Sequence, residues 1–369
     1  MNEKFRKTSI LFNAWADEVD VNAQNLNARD IAARIDPNRF HVSLFSRRKP
    51  DQRLMNRPNV TLIKIPPRLG TLTMLRHFLG NYDAIYYSRI SRADSMYRWL
   101  RKRGFNRTPL ISPVQNQMNI VHEPNFPAHL RRYWDDLFSL SDCMVADAPH
   151  VAVTAKEAYG VDIPVIVNGV DLPLFARENT RTSVEGVPKV KVLFAGTFQE
   201  RKHPELVLES AKRRRDVDFV FIGNGPMEGV LKEYSRSEQL VNVTFLGTLP
   251  YSEYAEVVKN ADIFLFPSRI EGMSKVTLEA AASGMPAIVF DDYHTPVVVD
   301  GVTGYQVKTF EEMHEKLNLL IDDPIFRTRM GKAGAEHAKK FEWDRIVPQW
   351  ENVFEETIGR KMVGRHPHQ

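Results

Sequence analysis

The sequence predicts an α/β protein made of two doubly wound domains in series, and three observations carry that expectation. The chain has 369 residues, more than one ordinary core organises and suited to two domains of ~150–180 residues each. Short apolar runs rich in Val, Ile and Phe alternate with amphipathic segments, the texture of parallel sheets buried on both faces by helical crossovers. The alternation breaks once, between Gly169 and Lys189, and then restarts.

In the first half the strand candidates are residues 8–15, 41–46, 59–66, 83–88, 109–114, 143–148 and 164–168. A helical segment around Asn25 to Ile35 joins the first two, with Leu26, Ile31 and Ile35 on one face. The break itself, GVDLPLFARENTRTSVEGVPK, is polar, rich in turn formers and without periodicity, so it reads as a linker. In the second half strands are expected at 190–196, 217–223, 243–247, 263–268 and 286–291. Helices are expected near 204–215, 227–240, 251–261 and 275–283. The tail from Phe310 to Phe354 is mostly helical, and Trp343 and Trp350 are expected to pack on protein rather than face water. These limits give a first domain over 1–170, with a C-terminal helix at 342–358 returning to it. A linker over 171–188 and a second domain over 189–341 follow. A cleft between the two domains is the default ligand site.

Composition narrows the class. With 43% apolar and 26% charged residues the chain is a soluble globular protein, not a disordered or collagen-like one. The single Cys143 excludes an intrachain disulfide framework and a multi-cysteine zinc site, and it fits a reducing compartment. No apolar run approaches the ~20 residues of a membrane span. The opening MNEKFRKTSILFNAW has no small-residue cleavage site, so it reads as a first strand and the protein as cytoplasmic. The net charge of +4 hides an asymmetry: residues 1–185 carry 26 basic and 19 acidic side chains, residues 186–369 carry 24 and 27. A basic first half suits something anionic, and nucleic acid, an anionic membrane surface and an acidic acceptor all meet that description. Its basic stretches are Arg47, Arg48, Lys49, Arg53 and Arg57, and Arg98, Arg101, Lys102, Arg103 and Arg107. Tyr86, Tyr87, Tyr97 and Trp99 beside those later arginines imitate a nucleic-acid surface. Their strand-plus-helix setting makes the aromatics core and the arginines surface, so no nucleic-acid partner is expected.

Two strand-to-helix turns carry candidate chemistry. In the first, Ser268 to Glu279, a strand ends, a tight turn holds Glu271 and Gly272, and a helix begins at Ser274. Serine is a good N-cap, and the amides of a first helical turn favour an anion. Gly272 admits a close ligand, Lys275 adds positive charge, and Glu279 lies about a turn further along. Carboxylates beside a phosphate-sized site suit the hydroxyls of a sugar. In the second turn, Gly196 to Pro204, Arg201 and Lys202 are placed to reach a phosphate. Asp216-Val-Asp218 precedes a strand at the far end and reads as a turn, so no metal site is expected.

Together these segments resemble the nucleotide-sugar domain of the retaining GT-B glycosyltransferases, glycosyl transferases group 1. That family includes bacterial phosphatidylinositol mannosyltransferases and lipopolysaccharide and capsule transferases. The matching pieces are AGTFQERKHPELVLESA, FIGNGP, VTFLGTL, FPSRIEGMSKVTLEAAASGMPAI and GVTGYQV, and Glu271 and Glu279 match the family's Glu-x7-Glu motif. The resemblance implies two Rossmann-like domains facing across a cleft and a UDP- or GDP-sugar as donor substrate, with no cofactor. It implies transfer to a glycan or lipid-linked acceptor in cell-surface polysaccharide or glycoconjugate synthesis. Glu271 would contact hydroxyls of the donor sugar near the reacting carbon, and Glu279 the ribose hydroxyls. Lys202 would neutralise the diphosphate with the amides of Gly272, Met273 and Ser274, and the turn at Thr248 and Leu249 would flank the base.

The chain departs from the family at three places. Thr197, after Gly196, stands where an arginine is usual, and Arg201 is the candidate substitute. His203 replaces a glycine. The first-domain strand that usually ends in a histidine here ends in Gln115, followed by Asn116, with His122 seven residues further on; either Gln115 or His122 takes the histidine's place. On the acceptor side Trp15, Asn22 and Gln24 occupy a loop that carries glycines in many relatives. A two-lobed binding protein for an anionic ligand, and another enzyme on the same scaffold such as a sugar-nucleotide epimerase, are the alternatives.

Overall fold

The computed structural model describes residues 6–88, 92–177 and 189–363. Residues 178–188 of the expected linker lie outside them. The chain divides into two compact units, Met1–Asn168 with Trp343–Gln369, and Gly169–Glu342.

The first unit holds six parallel strands: β1 (Thr8–Trp15), β2 (Phe40–Ser46), β3 (Val60–Lys64), β4 (Ala84–Tyr86), β5 (Leu110–Val114) and β6 (Cys143–Ala146). Their order is β3-β2-β1-β4-β5-β6. The chain therefore winds outward one way from β1 and then returns to wind the other way. Strand β1 is buried at every position from Ile10 to Trp15. Covered on both faces, it reads as a continuous apolar run and not as an alternation.

The expected strand at 164–168 is reduced to a single bridge between Ala146 and Val165. Its would-be partner β6 ends at Ala146, and the helix Pro149–Tyr159 begins just beyond, so no further residues remain to pair.

The last helix, Trp343–Val363, belongs to this unit. Trp343, Ile346, Val347, Trp350, Phe354 and Ile358 recur at three- and four-residue spacing and join the core formed by Ile10, Phe12, Phe40 and Tyr86. The Trp350 ring meets Tyr86 edge-on at 5.3 Å, and Phe354 lies 5.9 Å from Phe12. Arg39 ties its rim by an ion pair to Glu351 at 2.9 Å.

The charge-patterned stretches fold differently from their appearance in sequence. Arg98 and Arg101 are buried, paired with Asp136 at 3.4 Å and Asp142 at 2.7 Å, while Arg53 bonds Asp30 and Asp51. Long guanidinium stems bury readily where a carboxylate waits at the tip, and the sequence run does not reveal that partner. Tyr86, Tyr87 and Tyr97 are core, but Trp99 is 52% exposed under the Arg103 guanidinium.

The second unit repeats the plan with β7 (Lys191–Ala195), β8 (Asp218–Ile222), β9 (Val243–Gly247), β10 (Ile263–Phe266), β11 (Ala287–Phe290) and β12 (Gly304–Val307). The order β12-β11-β10-β7-β8-β9 reverses between β7 and β10. In an open parallel sheet the loops at the carboxyl ends beside such a reversal are where ligands bind. Strand β12 was not among the expected strands; it is an edge of four residues, too short for a periodicity. No helix among the described residues is long and apolar enough to cross a membrane.

Phe354→Ala is expected to destabilise the first unit by about 3–5 kcal/mol, because the cavity would open beneath Phe12, Phe40 and Tyr86. Urea unfolding followed by tryptophan fluorescence checks it, and a loss below about 1 kcal/mol would show that the helix does not close this core.

Candidate functional site

At the carboxyl ends of β7 and β8 two turns cross at backbone contact. Gly196 donates its N–H to the Ile222 carbonyl at 3.0 Å, and Phe198 donates to Asn224 at 2.8 Å. A Cβ on Gly223 would stand 2.0 Å from the Gly196 carbonyl oxygen, and one on Gly225 2.5 Å from that of Phe198. Both glycines also have positive φ, 129° and 155°, so side chains are excluded twice over. The crossing fixes where the loop after Gly196 goes. It makes one tight turn over Glu200–Lys202, and helix Pro204–Arg213 follows with proline at its start.

That turn sends Lys202 back beneath the loop. Its ammonium lies over the Phe266 ring at 4.6 Å and donates to Glu271 Oε1 at 2.6 Å. Ser268 Oγ donates to the same oxygen at 2.7 Å, and Arg201 Nη1 does so at 2.9 Å. Arg201 also donates to the Ile270 carbonyl at 2.5 Å, and the backbone of Arg269 donates to that of Arg201 at 3.1 Å. Burial alone would raise the Glu271 pKa. Lys202, then Arg201 and the hydrogen bonds outweigh it, and the carboxyl stays below its ordinary range. Burial lowers the Lys202 pKa, and Glu271 opposes that shift.

After Gly272 and Met273, both buried, Ser274 caps helix Lys275–Ala282: its hydroxyl accepts from Thr277 N at 3.4 Å and Thr277 Oγ1 at 2.9 Å. The Lys275 ammonium is buried and donates to the Gly169 carbonyl at 3.1 Å, so its charge serves the backbone where the second unit begins. Glu279 lies further along the helix, 1% exposed, with Tyr251 Oη donating to Oε1 at 2.5 Å and Tyr254 Oη to Oε2 at 2.8 Å. Thr248 is exposed and Leu249 half-buried in the turn leading to helix Tyr251–Lys259, and Thr197 is exposed at the crossing.

The structure thus brings Gly196, Arg201, Lys202 and Glu271 together and gives Glu279 a cluster of its own. In the first unit Trp15 is buried at the end of β1 under the Arg47 guanidinium, 3.9 Å from its ring. The Asn22 side chain accepts from Asn25 N at 2.9 Å and caps helix Ala23–Arg34. Gln115 and Asn116 follow β5, both half-buried. His122 is exposed, with Nε2 3.1 Å from the Ala158 carbonyl oxygen and its ring 5.4 Å from Tyr159. Sequence reasoning gave no role to Ser268, Phe266, Tyr251 or Tyr254. Ser268 opens the segment that carries Glu271, so its place was available; the tyrosines sit on a different helix from Glu279, and no local pattern links them. Among the described residues no three His, Cys, Asp or Glu side chains gather to hold a metal ion.

The sequence profile of the glycosyl transferases group 1 family matches residues 176–337. A D-inositol 3-phosphate glycosyltransferase of Paenarthrobacter aurescens is 30% identical over 317 residues, 79% of this chain and 77% of that protein. The chain belongs to the glycosyl transferases group 1 family. Another relative is a GDP-mannose-dependent monoacylated alpha-(1-6)-phosphatidylinositol monomannoside mannosyltransferase of Corynebacterium glutamicum. It is 32% identical over 152 residues, 38% of this chain and 40% of the relative. Among solved structures, sucrose-phosphate synthase from Thermosynechococcus elongatus aligns over 96% of this chain and 100% of its own, with TM-score 0.79 and 18% identity. Anabaena HepE in complex with UDP and glucose covers 95% and 100%, with TM-score 0.76 and 17% identity. At that identity the likeness speaks for the fold: two Rossmann-like units, the GT-B architecture.

The Glu271 shift has a pH consequence. Its folded pKa lies below the ordinary 4.5, so its stabilising contribution is complete above that value and is lost as pH falls through the folded pKa. Glu271→Gln should therefore lower stability at pH 7, by about 3 kcal/mol for a buried pair that loses one partner. The gap to the wild-type protein should shrink in denaturation curves taken progressively below pH 4.5. A gap that stays constant into acid would mean that the carboxylate charge is not what holds the loops.

Proposed function

We propose that this glycosyltransferase moves a sugar from a UDP- or GDP-sugar to a glycan or lipid-linked acceptor, with retention of anomeric configuration and without a metal ion. The observation that carries the reading is the convergence of Lys202 and Arg201 on Glu271 at the sheet reversal of the second unit. The names of the relatives and the UDP-bound neighbour support a nucleotide-sugar donor.

In this reading the bond between the anomeric carbon and the diphosphate oxygen breaks, and its electron pair leaves with the diphosphate. Lys202, Arg201 and the amides of Gly272, Met273 and Ser274 stabilise that charge, with Arg201 supplying the cation that Thr197 does not. Glu271 holds sugar hydroxyls beside the oxocarbenium-like carbon. The acceptor oxygen bonds on the face the diphosphate leaves, and its proton passes to the departing phosphate oxygen. Thr248 and Leu249 flank the base, and Glu279 holds the ribose. The first unit supplies the acceptor side through Trp15, Asn22, Gln115, Asn116 and His122, with Gln115 or His122 in the role of the family histidine. Such an enzyme fits cell-surface polysaccharide or glycoconjugate synthesis, in the cytoplasm.

Release of free nucleoside diphosphate from a panel of UDP- and GDP-sugars with acceptor tests this against a binding protein, which would release none. Glu271→Ala should lower turnover by about 10²–10³-fold. Lys202→Ala should weaken nucleoside diphosphate binding by about 1.5–3 kcal/mol. Activity should survive EDTA. Wild-type turnover in the Glu271 variant, or loss with EDTA restored by Mg²⁺, would overturn the corresponding assignment.

The acceptor is presented, in the same reading, at the inner face of an anionic membrane that the first unit visits. Trp99 and Phe105 are the aromatic residues among its exposed large apolar side chains, and Leu69 and Leu72 are exposed on or beside helix Gly70–Phe78. Arg68, Arg76, Arg103 and Arg107 are exposed with them. Basic residues near an anionic leaflet contribute about 1 kcal/mol each. Co-sedimentation with phosphatidylglycerol vesicles should be strong at low salt, weak at high salt and reduced in Trp99→Ala. Binding indifferent to lipid charge, or none at low salt, would leave a soluble acceptor.

A further inference from the structure

Glu279 is buried and accepts hydrogen bonds from two phenols, and the two are not equivalent. Both rings meet Phe175 edge-on, Tyr251 at 5.8 Å and Tyr254 at 6.1 Å, but Tyr254 is only 6% exposed. Burial, then the Glu279 charge, raises its pKa well above the ordinary phenol value, so it remains a hydroxyl donor. Tyr251 is half-buried and is the first residue of helix Tyr251–Lys259, just past Thr248, Leu249 and Pro250. Its ring stacks on Tyr254 with centroids 5.9 Å apart and planes 17° apart.

A ribose hydroxyl reaches a carboxylate that is 1% exposed only where a covering group gives way. Displacing either phenol breaks a contact with Phe175, but Tyr254 would have to leave a buried position in mid-helix. Tyr251 is half-buried at the first residue of the helix, where no preceding helical turn blocks a side-chain rotation.

We propose that the Tyr251 hydroxyl is a stand-in for a ribose hydroxyl: it donates to Glu279 Oε1 and is exchanged for the nucleotide's own hydroxyl on binding. The proposal rests on the reading of Glu279 as the ribose partner and adds the residue that sets how strongly ribose is preferred. One neutral O–H donor replaces another, and no proton is transferred. The ligand class is a ribonucleoside diphosphate. A nucleotide without the 2′- and 3′-hydroxyls cannot make the exchange and leaves Tyr251 in place. The preference for ribose is then the difference between two similar hydrogen bonds, and it is small in the wild-type protein. Tyr251→Phe removes the competitor, so a ribose hydroxyl no longer has to displace another donor from Glu279.

The test is calorimetric titration of UDP and GDP, and of their 2′,3′-dideoxy forms, into wild type, Tyr251→Phe and Tyr254→Phe, with melting curves to confirm that each variant is folded. Tyr251→Phe should bind the better ribonucleoside diphosphate about tenfold more tightly than wild type. Its affinity for the dideoxy form should not change, so the ratio widens. Tyr254→Phe should leave the ratio as in wild type, because Tyr254 donates in both states. A wild-type preference for ribose that narrows or is unchanged in Tyr251→Phe would overturn the stand-in alone. Widening in Tyr254→Phe would overturn it too, by assigning the exchange to the other phenol. Equal affinity of wild type for both forms, with Tyr251→Phe also indifferent, would remove Glu279 from the ribose and take the underlying reading with it.

Discussion

One carboxylate oxygen organises the second unit's functional loops. Glu271 Oε1 takes hydrogen bonds from Lys202, Arg201 and Ser268, and so ties the loop after β7 to the loop after β10. A lysine ammonium as buried as that of Lys202 carries a large desolvation cost, and only a partner in direct contact offsets it. Removing Glu271 therefore affects more than the carboxylate's own chemistry, because it leaves the cation without its nearest counter-charge. The glycine crossing at Gly223 and Gly225 supports the pair from below by letting the two backbones touch. With the chain held there, Lys202 has little choice of direction.

The fold was legible because burial on both faces writes itself into sequence. Strands such as β1 and β10 have no polar alternation to confuse them with half-exposed strands, and helical crossovers separate them at regular intervals. What was not legible depended on partners distant in the chain. Residues 164–168 look like a strand by composition, yet β6 ends too early to pair with them. Strand β12 is recognisable only through its register with β11, Ala287 opposite Gly304. The arginines at 98 and 101 read as a surface charge run because Asp136 and Asp142, which neutralise them, lie more than thirty residues away.

The candidate site shows the same division. A loop between a strand and a helix N-terminus is a local feature, so Glu271, Ser274, Arg201 and Lys202 could be named from the sequence. Their mutual pairing could not, since it joins two loops some seventy residues apart. Lys275 illustrates how spacing misleads: it opens the same helix as the others' anion site, yet its ammonium turns to the Gly169 carbonyl. Asn22 was singled out for its loop, and its side chain is spent on a helix cap, a common use of asparagine at that position.

The two motif carboxylates are satisfied by opposite kinds of donor, and that difference bears on what each can release. Around Glu271 the principal donors are cations, which attract a second anion brought near and are then shared with it. Around Glu279 the donors are neutral phenols, which have no charge attraction for phosphate. Glu279 lies five residues beyond the Ser274 cap, a rise of about 7–8 Å along the helix. A ligand that fits both therefore carries its negative charge toward the strand end and its neutral hydroxyls further along the helix. A nucleotide-diphosphate sugar has that order from diphosphate to ribose. A free phosphate or an acidic peptide would engage the cations and leave the phenol-covered carboxylate unused. The contrast between the two donor sets thus suits a nucleotide better than those other anions.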